Sequence, residues 1–578
     1  MKKSKLNNYP WYKYYGDVPH TLEYPEGSIV EYLKSTSIKN YPEYTALEYF
    51  DRRWTYQEFY KEIQKCAKAL KNIGVSEDDV VSICMPNTPQ AIIMFYAINM
   101  VGAIANMIHP LSSEKEIEFY LNKSKSSVIL AIDIDYKKIL RIISDTSVKK
   151  IIISSAADEM SKFKATLYYL VKGDKTKAIK KFKELFINLF TDREVLSWKK
   201  FMDNSYKYEG KYEYERKQSD PAVILYSGGT TGKPKGIVLS NLNINALAMQ
   251  SEIMCKPNKA GDSILNILPI FHGFGLGVCL HTPLTIGMRC VLIPMFDPKK
   301  FGELIKTKKP SFIAGVPGLF EAVTRCSFGK DDLSSIHSLI CGGDMPTEQT
   351  RLKVNKFFKE HGSSAEIRVG YGLTESSAAT SLTPRDGFRK GSIGIPMPDV
   401  IYKIVKIGTH DEAPLGEDGE ICISGPTVML GYLDELSETM QVLRRHDDGR
   451  IWLHTGDIGS MDSDGYIYFK SRLKRVIVTN GYNVYPSYLE EKINMHPYVL
   501  TSTVIGVEDK KRGQKVKAFI VLKKDIKPTE EVKKSIMEHC EKYIAKYAIP
   551  KEIEYKKELP KTLVGKISYV QLEQESKK

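Results

Sequence analysis

Short apolar runs recur along this chain with helical patterns between them: Val80-Val-Ser-Ile-Cys84, Ser127-Val-Ile-Leu-Ala131, Lys150-Ile-Ile-Ile153, Ser311-Phe-Ile-Ala314 and Ser338-Leu-Ile-Cys341. A strand that is apolar on both faces must be covered on both faces, and intervening helices supply the cover. The alternation therefore predicts α/β layers with largely parallel sheets. After about Pro384 the pattern changes to closely spaced short strands with Gly and Asp turns, such as Glu420-Ile-Cys-Ile423 and Gly465-Tyr-Ile-Tyr-Phe469, which predicts a β-rich subdomain. Over the last hundred or so residues, helices at Tyr488–Met495 and Glu530–Tyr547 flank strands Ser502–Ile505 and Val516–Leu522, a small α+β unit with its own core.

A chain of 578 residues should hold more than one domain, and 42% hydrophobic residues suffice for large cores. The basic start, Met1-Lys-Lys-Ser-Lys, runs into no apolar stretch, so no secretory signal is expected and the expected location is the cytoplasm. Nine cysteines without a Cys-x-x-Cys predict reduced thiols, not disulfides or a zinc site. Ala91–Ile108 is apolar, but Asn99, Gly102 and Asn106 interrupt it, which favours a buried helix over a membrane span. The net charge of +14 implies an anionic partner. No zinc-finger spacing, RNP-type strand or basic helix with a dimerising heptad supports nucleic acid. Ser161–Phe190 interleaves lysines with Phe, Leu and Tyr; it reads as a helical insertion packed on its own domain, with docking on an anionic membrane as the alternative.

The segment Tyr226-Ser-Gly-Gly-Thr-Thr-Gly-Lys-Pro-Lys-Gly236 joins two β-type runs, Ala222–Tyr226 and Ile237–Leu239. Its glycines admit close backbone approach to phosphate oxygens, its hydroxyls donate, and Lys233 and Lys235 supply charge. It is not a Walker A loop: Ser227 stands at the first glycine and Pro234 replaces the hydroxyl. The plain alternative is a glycine-rich hairpin turn.

The Thr-Thr-Gly-x-Pro-Lys-Gly core resembles the signature of the AMP-forming adenylating enzymes, the superfamily of acyl-CoA synthetases, peptide-synthetase adenylation domains and beetle luciferases. The resemblance continues along essentially the whole chain, in the family's order. It implies a large N-terminal domain (1–471), a hinge (472–474) and a small mobile C-terminal domain (475–578). It also implies ATP, Mg2+ and coenzyme A as reagents. Ser227, Gly228, Gly229, Thr230, Thr231, Gly232 and Lys235 would hold the phosphates. Leu268-Pro-Ile-Phe-His272-Gly-Phe-Gly275 resembles the segment beside the acyl carboxylate, placing His272, Phe274, Gly275, Gly315 and Gly370 around the acyl group. Cys341-Gly342-Gly343-Asp344 and Val369-Gly370-Tyr371-Gly372-Leu373-Thr374-Glu375 resemble the adenine and magnesium motifs, with Tyr371 on adenine, Thr374 on the α-phosphate and Glu375 on the metal. Trp452-Leu-His-Thr-Gly-Asp457 resembles the ribose motif, in which Asp457 accepts from both sugar hydroxyls. Arg472 would reach the ribose, Lys474 matches the hinge, Asn480, Gly481 and Tyr482 lie in the thioester-step loop, and Lys566 matches the catalytic lysine.

Each residue also has a bland reading: His272 as structural, Tyr371 as a core aromatic, Glu375 as a helix N-terminal acid, Asp457 as a turn residue, Lys474 as a solvated linker. The chain departs from the family pattern at Ser471, where Gly or Asp is usual, at Arg475, where an acidic or polar residue is common, and at Tyr569, where arginine is frequent. Amino-acid adenylation domains carry an aspartate where this chain has His272, so the expected acid lacks an α-amine. Gly273, Gly275, Gly277, Gly315 and Gly318, with Phe274, Leu276, Phe312, Leu319 and Phe320, suggest an open apolar pocket, although such glycines also permit tight packing. The expectation is an AMP-forming acid–thiol ligase acting on a medium- or long-chain fatty acid, with aryl acids as runner-up and a non-catalytic acyl- or nucleotide-binding protein as the remaining alternative.

Overall fold

The computed structural model describes residues 9–161, 164–166, 193–227, 234–479, 482–509, 512–561 and 567–576. Apart from Ser161 and residues 164–166, the basic segment Ser161–Phe190 lies outside the described residues. The chain gathers into two compact units, one of Met1–Ile401 with Ile423–Leu453, the other of Tyr402–Cys422 with His454–Lys578. By contact, therefore, 402–422 and 454–471 group with the C-terminal residues.

In the first unit the apolar runs become the middles of two sheets. Ile104–Met107, Val80–Cys84, Val128–Ile132, Lys150–Ser154 and Glu194–Ser197 pair in parallel, and Pro221–Ser227 extends them beside Ile104–Met107. Lys235–Ser240 then runs antiparallel to Pro221–Ser227, and Gly431–Tyr432 antiparallel to Lys235–Ser240. The second sheet has Thr45–Tyr49, Arg289–Leu292, Ser263–Asn266, Phe312–Gly315, Ser338–Cys341 and Ile367–Tyr371 as parallel neighbours, with antiparallel strands at both edges. Val128–Ile132 and Phe312–Gly315 are buried at every position, as strands covered on both faces require.

Ala91–Ile108 is buried but is two elements. A helix, Pro89–Met100, is buried along its whole length, and a strand, Ile104–Met107, follows. Thr88 caps the helix by accepting from Ala91 N at 3.4 Å, and Pro89 occupies the first turn, where no donor is needed. Gly102, at φ +79°, turns the chain between the two elements in a conformation that other residues adopt only under strain. The polar residues of the run are tertiary anchors. Asn99 accepts from Val30 N at 2.9 Å and donates to Asn241 Oδ1 at 2.8 Å, while Asn106 donates to Ser82 Oγ at 2.7 Å and Ser124 Oγ at 3.0 Å. Among the described residues no helix is long and apolar enough to cross a membrane. All nine cysteines are free thiols.

The second unit contains a sheet of Tyr482–Val484, Ile477–Thr479, Gly513–Leu522 and Val499–Asp509, with Glu552–Tyr555 parallel to Gly513–Leu522. Helices Pro486–Asn494 and Glu530–Tyr543 bury Leu489, Ile493, Ile536 and Cys540 with Val504 and Ile520 of that sheet. The second helix ends four residues before the expected Tyr547, because Ile544 is already extended at φ −121° and ψ 136°. The β-rich stretch expected after Pro384 is a further sheet of Ile401–Val405, Gly419–Ser424, Ile451–Met461, Leu443–Arg445 and Ile467–Arg472.

One buried polar contact in the first unit fixes the segment that follows His272. Phe274–His281 winds as a π-type helix, and His281 at its end is fully buried. Tyr96 Oη lies 2.9 Å from His281 Nδ1, and Asn245 Oδ1 lies 3.0 Å from Nε2. A neutral imidazole satisfies both, accepting at Nδ1 and donating at Nε2. Burial pushes the His281 pKa down from 6.5 to about 3. As pH falls, the unfolded chain takes up this proton first, so the contribution of His281 to stability is complete above about pH 6.5 and drains away toward pH 3, at most about 1.4 kcal/mol per pH unit. Urea unfolding of the protein and of His281→Gln across pH 7 to 5 should therefore give a shallower decline for the variant.

Candidate active site

The glycine loop closes an antiparallel hairpin. Ser227, at the end of one strand, pairs with Lys235, at the start of the next. Residues 228–233, and with them Gly228, Gly229, Thr230, Thr231 and Gly232, lie outside the described residues. Lys235 forms an ion pair with Glu438, and its Nζ sits 4.6 Å from the centre of the Tyr432 ring. Tyr432 in turn donates from Oη to Glu375 Oε1 at 3.1 Å. Burial, and then the charge of Glu375, raise the Tyr432 pKa well above that of an ordinary phenol, so the oxygen stays a donor. The structure thus brings Lys235 and Glu375, far apart in sequence, onto one tyrosine.

Gly370 and Tyr371 end the strand Ile367–Tyr371, and Thr374 and Glu375 lie in a 3-10 turn, Thr374–Ser376. Between them Gly372 has no room for a side chain: a Cβ would stand 1.5 Å from Ala378 O. The crowding comes from a tight return in which Ser377 and Ala378 adopt φ values of +64° and +125°, with Ser377 Oγ donating to Thr427 O at 2.8 Å. Two non-glycine residues held in that region mark stored strain beside the site.

His272 is half-buried, and its Nδ1 accepts from Phe274 N at 3.3 Å. Phe274 packs over Gly342, where a Cβ would come within 3.1 Å of the ring and 3.4 Å of Gly370 O. Gly342 N donates to Gly315 O at 3.0 Å, so Phe274, Gly315, Gly342 and Gly370 form one cluster. Gly275 and Gly315 have tight surroundings: a Cβ would lie 2.0 Å from Pro269 O in the first case and 2.2 Å from Leu319 Cδ2 in the second, whereas Gly318 has nothing within 4 Å. Gly343 takes φ +77°, and Asp344 is exposed, its Oδ1 accepting from Met345 N at 2.8 Å.

In the second unit Asp457 and Arg472 face each other across Ile451–Met461 and Ile467–Arg472, with Arg472 Nε 3.1 Å from Asp457 Oδ1. Asp457 is only 1% exposed, so the guanidinium offsets a carboxylate that would otherwise be costly to bury. Lys474 lies in the 3-10 turn Leu473–Arg475. Tyr482 is exposed and stacks on Tyr547 with ring centres 4.5 Å apart. Asn480, Gly481 and Lys566 lie outside the described residues; Lys561 and Ile567, on either side of the last, bridge in antiparallel fashion. Two departures from the family pattern meet each other, since the Arg475 guanidinium lies 4.7 Å from the Tyr569 ring centre while pairing with Glu490 Oε1 at 2.6 Å.

Three positions that the motifs did not flag fix candidate site residues, each within its own unit. Tyr432 is one. Glu420 is another: its carboxylate accepts from Gly456 N at 3.0 Å and from His454 Nδ1 at 2.9 Å, pinning the turn before Asp457. A lone acid at the head of the apolar run Glu420–Ile423 was the available signal. Asn87 is the third. Its Nδ2 donates to Asn266 O at 3.0 Å and Leu268 O at 2.9 Å, and its Oδ1 accepts from Ile270 N at 3.0 Å.

The chain belongs to the AMP-binding enzyme family, matching its main domain over residues 35–433 and its C-terminal domain over residues 488–566. It is 33% identical to a long-chain-fatty-acid–CoA ligase of Bacillus subtilis over 96% of each chain. Its fold is similar to ATP-bound MatB from Rhodopseudomonas palustris, with a TM-score of 0.80 at 22% identity over 95% of this chain and 99% of that one. The anthranilate CoA ligase AuaEII in complex with anthranoyl-AMP gives 0.79 at 24% identity, over 97% of this chain and 98% of that one.

Truncating Asn87 to alanine removes its bonds to Asn266 O and Leu268 O and leaves the buried Ile270 N without this acceptor. The variant should lose about 3 kcal/mol of stability, read as an earlier thermal transition.

Proposed function

We propose that this protein activates a medium- or long-chain fatty acid with ATP, through an acyl-adenylate, and transfers the acyl group to coenzyme A with release of AMP and pyrophosphate. The observation that carries the reading is the convergence of Lys235 and Glu375 on Tyr432 at the exit of the glycine loop. An acid can attack the α-phosphorus only if the phosphate charge is met by positive charge, which Lys235 would supply directly and Glu375 only through a cation that it would hold. The end-to-end relation to a long-chain-fatty-acid–CoA ligase, His272 in place of an amine-binding aspartate and the apolar Phe274 cluster favour the fatty acid.

In this reading Tyr371 stacks on adenine, Thr374 donates to the α-phosphate, and Asp457 accepts from the ribose hydroxyls with Arg472 beside it. Glu375 offers a hard oxygen, which fits magnesium, and its Oε2 has no hydrogen-bond partner among the described residues. The metal, held there, would neutralise charge on the pyrophosphate as it leaves. Ser227 and Lys235, with the glycines and threonines between them, cradle the same phosphates, and His272 lies beside the acyl carboxylate. The thiol of coenzyme A is itself the nucleophile of the second step, so no protein nucleophile is required. Lys566 serves adenylation, the Asn480–Pro486 loop serves thioester formation, and rotation about Lys474 exchanges them.

Pyrophosphate release measured over a panel of fatty and aryl acids tests the substrate. Medium or long fatty acids should be preferred, and turnover of aryl acids alone would contradict the assignment. Lys566→Ala should abolish acyl-AMP formation yet retain coenzyme A attack on supplied acyl-AMP; equal loss of both steps would refute the division of labour.

A further inference from the structure

Tyr432 belongs to no motif read in the sequence, yet the two charged groups assigned to the polyphosphate both rest on it. Its hydroxyl donates to Glu375 Oε1, and its ring face lies under Lys235 Nζ. The short segment that carries it is fastened on two sides. Leu430 N donates to Val238 O at 2.9 Å and Leu433 N to Gly236 O at 2.7 Å, which ties the segment to the exit strand of the glycine loop. Met429 N donates to Glu375 O at 2.9 Å, which ties it to the turn bearing the carboxylate. Thr439 Oγ1 accepts from Tyr432 N at 2.9 Å and fixes the ring's own backbone. Gly431, at φ +152°, lies against Thr439, where a Cβ would come within 2.8 Å of the threonine methyl, so the segment admits no side chain there.

We infer that Tyr432 is a positioning residue for the metal-bound nucleotide. Resting on the reading of Glu375 as the magnesium carboxylate, it assigns the phenol the task of turning that carboxylate, so that Oε1 is held by the protein and Oε2 is presented to the metal. The ring has a separate task. A cation over an aromatic face is attracted without being neutralised, so the ring holds the Lys235 ammonium in place beside its ion-pair partner Glu438, from which phosphate would draw it. One side chain thereby sets the carboxylate and the ammonium relative to each other before nucleotide arrives.

The two tasks separate by substitution. Tyr432→Phe keeps the ring and removes only the hydroxyl; Tyr432→Leu removes both. ATP binding by the full-length protein is measured by titration calorimetry with and without magnesium, with the half-saturating magnesium concentration in pyrophosphate release as a second readout. Tyr432→Phe should bind metal-free ATP as the unaltered protein does, but lose about tenfold of the magnesium-dependent gain in affinity. Tyr432→Leu should in addition weaken metal-free ATP binding by about threefold or more. Glu375→Gln should abolish the magnesium-dependent gain, and the double variant Glu375→Gln with Tyr432→Phe should lose nothing further, because both changes act through one carboxylate. An unchanged magnesium response in Tyr432→Phe, alongside its loss in Glu375→Gln, overturns the inference alone. A magnesium response retained in Glu375→Gln overturns both the inference and the assignment of Glu375.

Discussion

The strand Lys235–Ser240 is the piece on which the proposed chemistry of the first unit depends. It is antiparallel to both of its neighbours in a sheet that is otherwise parallel, so it returns the chain from the glycine loop and at once fixes the segment that carries Tyr432. Register does the rest. With Ser227 opposite Lys235 and Ile237 opposite Tyr432, the lysine falls over the tyrosine ring; a slip of one residue would send every side chain of the strand to the other face. The hairpin turn and the phosphate cradle, which the sequence offered as rival readings of the loop, are therefore compatible, because the hairpin is what aims the lysine.

Buried polar side chains carry the other half of the architecture. Asn87, Asn99, Asn106 and His281 are each buried, and each makes its hydrogen bonds to other elements of the chain. Such groups add little net stability when satisfied and cost a great deal when not, so their effect is to exclude alternative packings. Asn87 and His281 do this at the two ends of one stretch. Asn87 holds Asn266, Leu268 and Ile270 ahead of His272, while His281 ends the helical segment that follows it. The candidate acyl-binding segment is anchored from both sides by amides and an imidazole rather than by hydrophobic contact alone.

Much of this was legible in the sequence, and what was not has a common cause. Apolar runs marked the parallel strands because burial on both faces leaves a continuous signature. Glycine-rich and charged motifs singled out Lys235, Glu375 and Asp457 as candidates because each lies in a motif that is local in sequence. The supporting residues left no such trace: Tyr432 reaches Glu375 across 57 positions, and Asn87 reaches Ile270 across 183. Element ends were misjudged where backbone conformation, not hydrophobicity, decided them. Gly102 split one expected helix into a helix and a strand, and the extended Ile544 shortened another.

The contact between Arg475 and Tyr569 alters how this chain's departures from its family should be weighed. Taken singly, an arginine in place of an acidic or polar residue and a tyrosine in place of an arginine both read as erosion of a motif. Taken together they are one contact, in which the Arg475 guanidinium lies over the Tyr569 ring while it pairs with Glu490. Neither can be exchanged alone without cost: an arginine at 569 would set a second cation against Arg475, and an acid at 475 would face the carboxylate of Glu490.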